Sequence, residues 1–397
     1  MKYNFDEIID RKGYGQAKWE PAILEGKFGE PDLLSYWVAD MDFRTVPEVI
    51  EAVKKGAEHG IWGYTSFMPK FYEAYLGWQK KRNGWEAKQE WFRYTPGVVN
   101  ALNQAIQAFS NEGDEIIIQR PVYYPFTNSI LAQGRVIVNN ALIYKGDHYE
   151  VDFANFEKLA SSPKCKMFIM SNPHNPVGKV FTKEELTKMG EICNKYGVFV
   201  CADEIHSDLI VPGFKHTVYA SLGKEFADNC LVCHAPSKTF NLAGLQVSCI
   251  MIPGEEARAK FDAVSKKFSV GSPNFFGAVA AAAAFEHGED WLKECYAYIL
   301  ENYKYVKEFC ASHWGGKVKP VNMEGTYLMW LDFNAVEKDP DKLEQVMLKK
   351  AKVALDEGKI FGTEGNGFER INLATPKSFI VELMDRIAKA LKEEYGI

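Results

Sequence analysis

The sequence has no apolar run long enough to cross a bilayer. Its longest, Phe275 to Phe285, is alanine-rich and well short of the roughly 18 residues a span needs. Basic excess is also missing: 47 Lys and Arg stand against 53 Asp and Glu, a net charge of −6, so charge does not draw the chain to nucleic acid or anionic lipid. Low-complexity tracts and internal repeats are lacking. The first residues, "MKYNFDEIIDRKG", have neither the apolar core nor the small-residue cleavage site of a secretory signal, and the expected location is cytoplasmic. Histidine is scarce, eight in 397 residues, and no Cys/His pairs recur at ligand spacing, so no metal is expected. Cys230 and Cys233 form half of a redox or metal motif, but strand periodicity points the two sulfurs to opposite faces. The eight cysteines sit singly, mostly inside apolar runs, as reduced, buried thiols do.

What is present is a chain of two or three domains with a generous aromatic share, 14%. Short continuous apolar runs recur at Glu115–Ile118, Val136–Val138, Met167–Met170, Val198–Cys201, Leu231–Cys233 and Cys249–Ile252. Their lack of alternation predicts strands buried on both faces, as in a parallel sheet. Helical patterns separate several of them. One runs from Val98 to Ser110, and another is "TKEELTKMGEICNKYG", with Thr182 as N-cap, Glu185 three residues on and Gly197 as the stop. The alternation predicts an α/β fold: a large domain (residues 46–288) with a mostly parallel sheet flanked by helices. An irregular arm (1–45) and a smaller α+β domain (289–397) flank it, the latter with a long helix, strands near Tyr327–Asp332 and Arg370–Leu373, and a closing helix near 377–394. The glycines at 362, 365 and 367 lack the ending of a phosphate loop and read as a surface turn.

Ligands of open α/β sheets bind beyond the carboxyl ends of the strands. The exits here carry "QRPVYYPF" with Tyr123 and Tyr124, "SNPHNPVG" with two asparagines, "ADEIH" with Asp203, Glu204 and His206, and "APSK" with Lys238. A desolvated lysine can act as a nucleophile or base. A carboxylate can keep a pyridine nitrogen protonated, an amide can bond a phenolic oxygen, and an aromatic ring can stack on a heteroaromatic one. The helix opening after "TPGVV" offers free amides to a phosphate. These types together suit pyridoxal 5'-phosphate (PLP). His174 and His206 near the acids form no ligand pattern for a metal.

The segments "SNPHNPVG", "DEIHSDL", "SKTFNLAGLQ" and "FERINLATP" resemble the fold-type I PLP enzymes of the class I/II aminotransferase superfamily. With "WVADMDF" and "WGYTS", the resemblance extends to its cystathionine β-lyase-like C–S lyase branch and covers Tyr36 to Pro376. It implies that Lys238 carries the cofactor, Asp203 pairs with the ring nitrogen, Asn175 with the phenolic oxygen, and Tyr123 stacks on the ring. It further implies that Val98, Val99 and Ser237 hold the phosphate, with Tyr64 reaching the phosphate of a neighbouring subunit in a homodimer with shared sites. Arg370, helped by Ala39, would bind the substrate α-carboxylate. Two positions depart from the aminotransferase pattern: His206 stands where Tyr is frequent, and Gln246 where Arg often binds phosphate. Both departures look like the lyase branch.

The bland readings are a surface loop for Lys238, a helix cap for Asp203, a turn brace for Asn175, core packing for Tyr123 and a structural ion pair for Arg370. The combination at consecutive exits favours a site. The expected activity is β-elimination from L-cystathionine or another L-cysteine S-conjugate. The alternative is an aminotransferase for apolar or aromatic amino acids, and a third reading is a fold used for contact with a transcription regulator.

Overall fold

The computed structural model describes residues 2–397. Seven strands form the central sheet: β1 (Phe92–Thr95), β2 (Glu115–Ile118), β3 (Val136–Asn139), β4 (Cys165–Ser171), β5 (Phe199–Asp203), β6 (Cys230–His234) and β7 (Ser248–Met251). Their order is β1-β7-β6-β5-β4-β2-β3. All pairs are parallel except those of β7, which runs against both β1 and β6. β5 and β6 are buried along their whole length, as their continuous apolar character predicts. β3 is the exception: it lies at the sheet edge with Val136 47% exposed. β1, "FRYT", was not foreseen, because an edge strand with a mixed sequence carries little apolar signal.

α1 (Pro21–Phe28) lies in the segment expected to be irregular. Pro21 starts it and Gly29, in the left-handed region at φ 72°, ends it. Leu34–Ser35 then pairs in parallel with Val353–Ala354. α2 (Val98–Phe109) and α3 (Tyr124–Ala132) follow β1 and β2. α4 (Lys183–Tyr196) has the capping box read from its sequence: the Glu185 amide donates to Thr182 Oγ1 at 3.1 Å, and the Thr182 amide to Glu185 Oε2 at 2.9 Å. α5 (Pro236–Thr239) is one turn following β6, and α6 (Phe275–His287) is the alanine-rich helix, buried at Ala280, Ala281 and Ala284. α7 (Glu289–Trp314) and α8 (Lys377–Tyr395) are the long helices expected near the C-terminus. They accompany an antiparallel sheet of order β8-β9-β11-β10, from β8 (Lys319–Pro320), β9 (Leu328–Asp332), β10 (Asp356–Glu357) and β11 (Phe368–Asn372).

The glycine patch is packed rather than superficial. A Cβ on Gly365 would stand 2.1 Å from the Gly358 carbonyl oxygen, and one on Gly358 1.9 Å from that of Gly365. Two backbones therefore touch beside Arg370, which accounts for these two glycines. Among the described residues no helix is long and apolar enough to cross a membrane. All eight cysteines are buried and unpaired.

Candidate active site

The parallel strands reverse their order at β2 and β4, and the segments leaving those strands meet there. The Tyr123 amide, following β2, donates to the Asn175 carbonyl, following β4, at 3.0 Å. Asn175 Oδ1 accepts from Arg370 Nη1 at 2.9 Å, which ties the central sheet to β11. Arg370 is 2% exposed; its Nη2 donates to the Trp37 carbonyl at 2.7 Å and pairs with Asp356, its cross-strand neighbour on β10. Its Nε is buried without a partner.

Lys238 leaves the sheet on α5 and donates from Nζ to the Ala39 carbonyl at 2.6 Å. Burial pulls its pKa down to about 8; Arg370 acts in the same sense, while Asp40 and Asp203 oppose. Asp203 ends β5, and burial pushes its carboxyl up to about 7 against the lowering effects of the Ile205 amide and Lys238. A carboxyl balanced near neutrality, facing a basic ring nitrogen, would give up its proton to that nitrogen. This fits a pyridine cofactor. His206 is buried, its Nδ1 has no partner, and its ring meets Tyr327 edge-on at 5.9 Å. Burial, with Lys238 and Arg370 nearby, holds its pKa well below the usual range, so it stands neutral.

Gly97, at φ 94°, turns the chain into α2, so the first-turn amides of Val98 and Val99 have no intrahelical partner. Ser237 is buried in α5. The site's groups fit a phosphorylated pyridine aldehyde: free helix amides, a lysine of lowered pKa and a carboxylate, with unpartnered nitrogens at His206 and Arg370. Tyr64 stands outside this cluster. It is fully exposed, in a groove of about 680 Å³ that it shares with Pro96 and Gln246.

Two neighbours of the candidate site residues face elsewhere. Glu204 does not share a site with Asp203 but turns away from it. Its carboxylate accepts from the Tyr219 amide at 2.8 Å, His216 Nε2 at 2.8 Å and His234 Nε2 at 3.3 Å. The cause is the strand pleat, which sends adjacent side chains to opposite faces. Burial alone would raise its pKa, but His216 and His234 outweigh it and hold Glu204 at about 2. His174, next to Asn175, is likewise not at the site's surface. It is buried against the Gln119 carbonyl at 3.0 Å, with its pKa lowered to about 3 by burial.

The Glu204 cluster joins β5 to His234 at the end of β6, four residues before Lys238. Glu204→Gln is expected to cost about 2–4 kcal/mol at pH 7, because the histidines lose a buried charge partner. A depressed carboxylate pKa stabilises the fold above the usual glutamate value, and that contribution is lost as pH falls toward 2. Urea unfolding of both proteins at pH 7 and pH 3 measures this: the gap should narrow at pH 3, and equal stability at pH 7 would refute it.

Sequence reading also left Tyr327 unplaced. Its hydroxyl donates to the Ala39 carbonyl at 2.9 Å, the same oxygen that Lys238 engages. The whole 37–43 segment is held in this way. Asn372 bonds the Val38 and Asp40 carbonyls, and Asn241 those of Met41 and Phe43. Lys18, 0% exposed, is paired with Asp42 at 2.7 Å, and Arg11 bonds Asp40 and Asp42. Only the two aspartates of the otherwise apolar "WVADMDF" could have hinted at this.

A half-buried lysine beside a carboxylate at the strand ends of a doubly wound sheet is the arrangement of a fold-type I PLP-dependent enzyme. The chain belongs to the aminotransferase class I and II family, whose model matches residues 35–387. It is 43% identical to the cystathionine beta-lyase PatB of Bacillus subtilis, over 98% of this chain and 100% of that one. Cystalysin from Treponema denticola, whose structure contains pyridoxal 5'-phosphate, superposes with a TM-score of 0.95 at 38% identity, covering 99% of this chain and 100% of that one. The PLP-bound C-S lyase from Staphylococcus hominis gives 0.91 at 32% identity, covering 98% of both.

Proposed function

We propose that this chain is a PLP-dependent C–S lyase. It cleaves L-cystathionine or another L-cysteine S-conjugate, with water, to pyruvate, ammonia and a thiol. The observation that carries this reading is the full-length similarity to a cystathionine beta-lyase, together with solved C–S lyases of the same fold. When bound, PLP supplies an electron sink for the pair left at the substrate Cα.

The chain's own residues supply the rest. Lys238 holds the cofactor and then takes the α-proton at Nζ, a role that a pKa near 8 suits. Asp203 keeps the ring nitrogen charged, Asn175 bonds the phenolic oxygen, and Tyr123 covers the ring. Val98, Val99 and Ser237 hold the phosphate, and His206, neutral, sits beside the ring. Arg370 binds the α-carboxylate through Nε and the donors it frees from Trp37, with Ala39 alongside.

The same reading makes the enzyme a homodimer in which Tyr64 serves the partner's phosphate. Exposed Ile61, Trp62, Tyr64 and Met68 support it as an apolar rim that a second copy would cover. It divides the chain into an arm (1–45), a large domain (46–288) and a small domain (289–397). It puts the protein in the cytoplasm, where eight unpaired thiols stay reduced.

The test is release of pyruvate and thiol from a panel of S-conjugates, L-cystathionine first, with no keto acid added. Absence of pyruvate from every conjugate overturns the lyase reading. Accumulation of the amino form of the cofactor, reversed by a keto acid, would establish the aminotransferase instead.

A further inference from the structure

The Ala39 carbonyl oxygen has two lone pairs, and both are taken: by Lys238 Nζ at 2.6 Å and by the Tyr327 hydroxyl at 2.9 Å. Tyr327 is fully buried, and burial keeps its hydroxyl far above the usual phenol range, so it is a permanent donor. Its aim is built in by the residue before it. Thr326 sits at φ 72°, a backbone conformation that a β-branched residue adopts only under constraint. Each of its polar groups is secured: the amide to the Leu209 carbonyl at 2.8 Å, the carbonyl by the Tyr296 hydroxyl at 2.9 Å, and Oγ1 by the Leu328 amide at 3.0 Å. Gly325 packs so closely that a Cβ there would stand 3.0 Å from the Leu209 carbonyl oxygen and from Pro173. A strained turn overdetermined on all sides, next to the catalytic amine, calls for a functional reason.

We infer that Tyr327 is a positioning residue, which occupies one lone pair of the Ala39 carbonyl so that this oxygen neither swings nor over-stabilises the protonated form of Lys238. The inference rests on the reading of Lys238 as the base for the α-proton. An acceptor that serves two donors gives less to each. With the hydroxyl removed, the carbonyl turns wholly to the ammonium, and the amine holds its proton more tightly. The other charged and titratable groups around Lys238 are Asp40 on the 37–43 segment, Asp203 at the end of β5, His206 beyond it and Arg370 on β11. None of them changes in a Tyr327→Phe variant, so a shift in the pH profile reports the hydroxyl.

The step to measure is exchange of the α-proton of L-alanine in D2O by the PLP-loaded enzyme, followed by NMR. The proton moves from Cα to Nζ, and a solvent deuteron returns to Cα. L-Alanine has no leaving group on its β-carbon, so this step does not depend on elimination. Tyr327→Phe is expected to slow exchange about tenfold near neutral pH and to move the acid limb of its pH profile up by about one unit. Half-saturation by L-alanine should stay within about twofold, since Arg370 is untouched. Unchanged rate and acid limb in Tyr327→Phe would overturn the inference. So would a lost rate accompanied by an equal rise in half-saturation with no move of the acid limb, which would lay the effect on substrate binding. A wild-type enzyme that exchanges the proton of L-alanine but releases no pyruvate from S-conjugates would refute the lyase reading and leave this test intact.

Discussion

Replacing Lys238 with alanine is expected to abolish turnover, lowering pyruvate release at least about 10⁴-fold, and to leave the cofactor without a covalent link to the chain. The reason is the environment of the amine. It is a half-buried amine with its pKa drawn down to about 8, held by one carbonyl and with the Asp203 charge nearby. No other lysine is so placed: Lys18, which is fully buried, is neutralised by Asp42. Borohydride reduction followed by peptide mapping measures the link, and a variant that still yields a reduced adduct would assign it to a different lysine. The same variant tests the shared site. Mixed with a Tyr64→Ala protein under subunit exchange, it should regain activity, up to about a quarter of the wild-type level when each hybrid carries one intact site. No recovery would place Tyr64 outside the partner's site.

Arg370→Ala should raise KM for amino-acid substrates about 100- to 1,000-fold with a smaller effect on kcat, the loss of two charge-assisted hydrogen bonds to a carboxylate. It should also destabilise the fold by about 3–5 kcal/mol, because Asp356 is left buried without its partner. These two effects separate. Arg370→Ala combined with Asp356→Ala should recover much of the stability and none of the KM. Arg370→Lys keeps the charge but loses the planar fork, and should recover only part of the affinity. A KM within threefold of wild type in Arg370→Ala would give the carboxylate to another group.

The site was legible in the sequence where strand geometry alone puts residues together. Tyr123, Asn175 and Lys238 each follow a parallel strand and Asp203 ends one, so the fold class itself brings these candidate residues to one edge. The helix termini were equally legible, because Thr182, Glu185 and Gly197 act within one or two turns. What escaped depends on the approach of distant segments. Lys238 meets Ala39 across 199 residues and Arg370 meets Trp37 across 333, and no local period records such contacts. Glu204 and Tyr327 escaped for a related reason. Glu204 follows Asp203 directly, yet the pleat turns it to His216 and His234. Tyr327 has its meaning only through the Ala39 carbonyl. The irregular arm hid α1 because its glycines outweighed Pro21 as a signal.

The segment from Trp37 to Phe43 behaves as a transmission. Arg370 grips its first carbonyl and Lys238 its third, so the distance between the carboxylate clamp and the base is carried by two peptide units. On the proposed reading, a substrate carboxylate that drew Arg370 from Trp37 would free a carbonyl two residues from the one that holds the amine. An amine ligand without a carboxylate would leave the Arg370–Trp37 bond in place, so engagement of the acid group would itself be the signal for chemistry.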